Sequence, residues 1–125
     1  MVLLFHSRRV SRDRVVTQRI LELAQGKTLW MSDYSRPLFP PEADIRTGSQ
    51  FLADAAVGDY CFLENESALA CAAQVEQVIL FRWNRDYPAD FFFDLALNAP
   101  IWHLSHREEF PGFSHEKITM EVYDR

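Results

Sequence analysis

The sequence predicts an α+β fold: a single globular domain spanning residues 1–125, with a mixed or mainly antiparallel sheet and helices packed on one face. Three observations lead there. Val2–Asp33 reads as strand, helix, strand. Ile79–Leu97 (ILFRWNRDYPADFFFDLAL) reads as two half-buried strands around a turn, and the stretch from Ile101 to Tyr123 reads as two more. Between them lie a proline-rich loop and brief helical patterns.

Val2–Phe5 is an apolar run of the kind a buried strand presents. Ser11 is placed to cap a helix running to Gln25. Val16, Ile20 and Leu23 share one face at i, i+4, i+7, and Gly26 ends it. Lys27–Asp33 returns as a strand, with Leu29 and Met31 on the side opposite Thr28 and Trp30. A strand–helix–strand order permits a right-handed parallel crossover. Tyr34–Thr47 carries Pro37, Pro40 and Pro41 and no sustained period, so a long loop is expected. Gly48–Val57 reads as a short helix, Asp59–Glu64 as a strand, and Ser67–Ala73 as a brief alanine-rich helix.

In the aromatic segment Ile79, Phe81 and Trp83 share one face, as do Phe91, Phe93, Leu95 and Leu97. A loop at Asp86–Asp90 sets Trp83 opposite Phe93 and Phe81 opposite Leu95. A strand at Ile101–Arg107, a turn at Phe110–Ser114 and a strand at Lys117–Tyr123 complete the chain.

Charge is unevenly spread. Of the net −5, residues 1–27 contribute +4, from six basic side chains against Asp13 and Glu22; the rest contribute −9. A body of that sign repels a phosphate backbone and attracts a cationic protein. Nucleic acid is therefore disfavoured as a partner. No apolar run approaches the ~20 residues a membrane helix needs. The opening MVLLFHSRR puts its basic residues after its apolar ones, the reverse of a signal peptide, so the expected location is cytoplasmic and no membrane partner is expected. Cys61 and Cys71 lie among apolar or alanine-rich neighbours and read as buried free thiols.

No catalytic motif stands out. Only four glycines are present, none clustered, which excludes a phosphate-cradling loop, and no G-x-S-x-G occurs. His103 and His106 are three apart on a strand and point to opposite faces, without zinc-ligand spacing, so neither a metal nor another cofactor is expected. One catalytic arrangement is conceivable: a metal-independent ribonuclease or phosphodiesterase centre. His103 and His115 would move protons there and Lys117 would face the phosphate, with Thr119 and Tyr123 on the same strand face as Lys117.

The alternative is a surface rather than a reaction. Asp86, Tyr87 and Asp90 form the expected hairpin tip, while Tyr34, Phe39, Glu42 and Asp44 populate the proline-rich loop. Rings surrounded by carboxylates suit docking of a basic partner, because they bury area at little entropic cost while the charges steer approach. The expected function is that of a small bacterial immunity or inhibitor protein that neutralises a basic, nuclease-type toxin domain without catalysis of its own.

Overall fold

β1 (Val2–Phe5) is buried on both sides because it runs through the middle of the sheet. That is where an unbroken apolar run belongs when parallel neighbours flank it and both faces are covered. A computed structural model of the chain describes residues 1–5, 14–64, 69–83, 101–111 and 118–125. They hold α1 (Arg14–Leu23), β2 (Leu29–Met31), β3 (Ile45–Thr47), α2 (Phe51–Asp54), β4 (Tyr60–Leu63), β5 (Gln77–Trp83), β6 (His103–Phe110) and β7 (Ile118–Asp124). Short 3₁₀ segments stand at Arg36–Leu38 and Leu69–Gln74.

The strands form one seven-stranded mixed sheet in the order β3-β2-β4-β1-β5-β7-β6. The first five sequence strands run parallel, and β7 and β6 are added antiparallel at one side. A single row crosses the whole sheet: Ile45, Leu29, Tyr60, Val2, Gln77, Asp124 and His103 stand side by side. It marks the end at which the parallel strands begin.

Strand parity divides the core in two. Val2, Leu4, Leu29, Met31, Phe62, Ile79, Phe81, Ile118 and Met120 face α1 and the turn after it, which bury Val16, Ile20 and Ala24 against them. Leu3, Phe5, Cys61, Leu63, Val78 and Leu80 face the other way, toward Phe51 of α2 and toward Cys71 and Val75. Helical structure is thus not confined to the one face expected. α1 covers one side, and short turns cover the other, because a central parallel strand is apolar on both sides and needs both covered.

The expected helix after Ser11 is observed from Arg14, and Gly26 follows it at φ +79, a left-handed conformation that glycine adopts without strain. The expected loop through Thr47 instead contains β3. Three residues with one half-buried apolar side chain are too short to display a period. β5 begins at Gln77, two residues earlier than expected, and pairs with β1 on one edge and β7 on the other. The expected partner Phe91–Leu97 and the loop Asp86–Asp90 lie outside the described residues. β6 runs three residues beyond the expected end and carries a bulge between Leu104 and His106.

Candidate functional site

The loop from Ser32 to Asp44 is organised by one guanidinium. Arg36 donates from Nη1 to the carbonyls of Phe39 and Pro40 (3.3 and 3.1 Å), and from Nη2 to those of Pro41 and Ala43 (3.2 and 3.1 Å). Arginine suits this task because its planar fork offers five donors. The loop is fastened at two further points. Phe39 is buried and meets Phe62 of β4 edge-on, with ring centroids 5.3 Å apart. Ser35, fully buried, donates its hydroxyl to Oε1 of Glu64 at 2.6 Å; the Glu64 side chain is itself only 3 % exposed, at the end of β4. The two buried polar groups thereby satisfy each other.

These fastenings separate residues that the sequence groups together. Phe39 belongs to the core and not to a docking surface: it is buried in one cluster with Phe62, Met31, Val16 and Ile20. Tyr34 is 55 % exposed, just beyond the end of β2. Glu42 and Asp44 are exposed too, but they precede β3 and so lie at the opposite end of the parallel strands. Asp86, Tyr87 and Asp90 lie outside the described residues.

At that opposite end acidic side chains recur. Asp44 precedes the first residue of β3, Asp59 that of β4, and Glu76 that of β5. Backbone bonds tie the rim together: Tyr60 N–H donates to the Thr28 carbonyl, Val2 to Asp59, Glu76 to Met1, and Arg125 to Glu76. The three carboxylates sit on alternate strands of the order, which at ~4.8 Å between strands sets neighbours ~10 Å apart. That is close to the ~8 Å screening length of physiological salt, so their fields overlap in part.

At this end the charged form of two carboxylates is favoured. The carboxylate of Asp59 lies below its ordinary range, chiefly because the Ala56 N–H donates to it at 2.9 Å; Trp30 Nε1 adds a bond at 3.0 Å and Arg46 a favourable charge, against desolvation. Asp124 is lowered by the Gln77 amide, 2.7 Å away, and by Ser105. Nearby cations are engaged: the Met1 ammonium donates to the Gln74 carbonyl at 2.8 Å and lies 3.9 Å from Glu76 Oε1. Arg125 donates to the carbonyls of Ala72 and Val75, both at 2.8 Å, and stacks over Trp102. Arg46 lies over the Trp30 ring. Trp30 is accordingly a half-buried wall of the second core, hydrogen-bonded through its indole N–H, rather than a free docking ring. Lys27 is the exposed lysine of this end among the described residues, and Val57, 92 % exposed, projects from the turn that Asp59 closes.

The residues of the catalytic alternative are not brought together where they are described. β7 places Asp124, Val122, Met120 and Ile118 on one face of the sheet and Tyr123, Glu121 and Thr119 on the other. His103 stands opposite Asp124, hence on the α1 face, whereas Thr119 and Tyr123 point away from it. Thr119 is also buried, at 2 % exposure. His115 and Lys117 lie outside the described residues. Among the described residues no group of three or more His, Cys, Asp or Glu side chains could hold a metal ion. No helix among them is long and apolar enough to cross a membrane.

Sequence reading missed the rim as such, since its carboxylates are spread over three connections. Their one legible feature was position, each directly before a strand. No family model and no curated protein sequence matches this chain.

Proposed function

We propose that the protein is a non-catalytic binding module: a small cytoplasmic immunity or inhibitor protein that neutralises a basic, nuclease-type toxin domain through negative surface. The observation that carries this reading is the acidic rim. Glu42, Asp44, Asp59 and Glu76 gather at one end of the sheet, where the Met1 ammonium lies 3.9 Å from Glu76 Oε1 while Arg46 and Arg125 are engaged by ring faces and carbonyls. A nuclease presents cations to bind phosphate, and carboxylates on a fixed frame can meet them without reorganisation. Asp86, Tyr87 and Asp90, which lie outside the described residues, belong to the same proposal on their sequence alone as a second contact, and Tyr34 as a contact from the opposite end of β2.

The test joins capture with inhibition. The unaltered chain is expected to retain a basic nuclease domain from its native host and to block that domain's cleavage of RNA or DNA. Glu42→Lys, Asp44→Lys and Glu76→Lys combined are expected to slow association about tenfold at low salt, and less at high salt. Inhibition unchanged by the triple variant would reject the rim as the docking surface. Cleavage of RNA by the isolated chain, abolished by His103→Ala, would reject the non-catalytic reading.

A further inference from the structure

We draw no further inference here: the strongest candidate, the buried Ser35–Glu64 pair at the C-terminal end of β4, carries nothing beyond anchoring the loop already described, because the adjoining segments 6–13 and 65–68 lie outside the described residues.

Discussion

The Ser35 hydroxyl and the Glu64 carboxylate illustrate how a polar contact can matter more by its loss than by its presence. Removing one partner costs the buried group that remains a hydrogen bond, about 1–3 kcal/mol. Ser35→Ala is therefore expected to lower the unfolding free energy by that amount, read as a lower urea midpoint at an unchanged denaturant slope; a loss under about 0.5 kcal/mol would show that other groups satisfy the Glu64 carboxyl. Phe39 permits a sharper discrimination. As a docking ring it could be removed without harm to folding. As a core ring against Phe62, its truncation in Phe39→Ala is expected to cost about 3–5 kcal/mol in the same measurement. The sequence could not separate these roles, because the loop has no period and a phenylalanine among prolines shows no face.

At the scale of elements, α1 is tied to the sheet's far edge as well as its centre. Arg19 Nη1 meets Glu108 Oε2 at 2.7 Å, and its guanidinium lies over the Phe110 ring, 4.7 Å from the centroid. The Arg19 hydrogen bond holds the Glu108 carboxyl below its ordinary 4.5, with His106 assisting. Because the folded value lies below the unfolded one, the stabilisation is complete above about pH 4.5 and is lost as pH falls through the folded value. Both side chains are partly exposed, so the ion pair contributes about 0.5 kcal/mol. Arg19→Met is expected to reduce stability by that order at pH 7, and the difference from the unaltered chain should shrink below pH 4. A difference independent of pH would assign the effect to packing on Phe110 instead. α1 was the most legible element: Val16 and Ile20 recur at helical spacing and are both buried. β1 was legible as well, through four consecutive apolar residues. The pairing of β5 was not. Sequence alternation identifies a strand and its faces, and Ile79 and Phe81 do share one, but nothing local says that Phe81 stands beside Met120. The mixed sheet follows from that distant pairing, which no periodicity encodes.

For the whole molecule, the two thiols report on global integrity. Cys61 is fully buried and Cys71 nearly so, in the core that faces α2. Burial pushes the Cys61 thiol up to about 12, with the neighbouring Cys71 and Asp59 adding to the rise. Reaction of either with iodoacetamide near pH 8 thus requires the core to open. The expected outcome by mass spectrometry is slow double labelling that accelerates with urea in step with unfolding; rapid labelling of Cys61 in native buffer would contradict its placement. The acidic excess was legible in composition, as the −9 of residues 28–125. Its collection along one rim was not, because Asp44, Asp59 and Glu76 are separated by 14 and 16 intervening residues and only the parallel order brings them into line.

The position of β1 bears on how the chain acquires its shape during synthesis. Both neighbours of this central strand, β4 and β5, are made more than fifty residues after it. A nascent segment ending before Tyr60 therefore has four apolar residues and neither lateral partner for them. Such delayed, long-range closure makes folding slow relative to a helical bundle of equal size and leaves early intermediates prone to self-association.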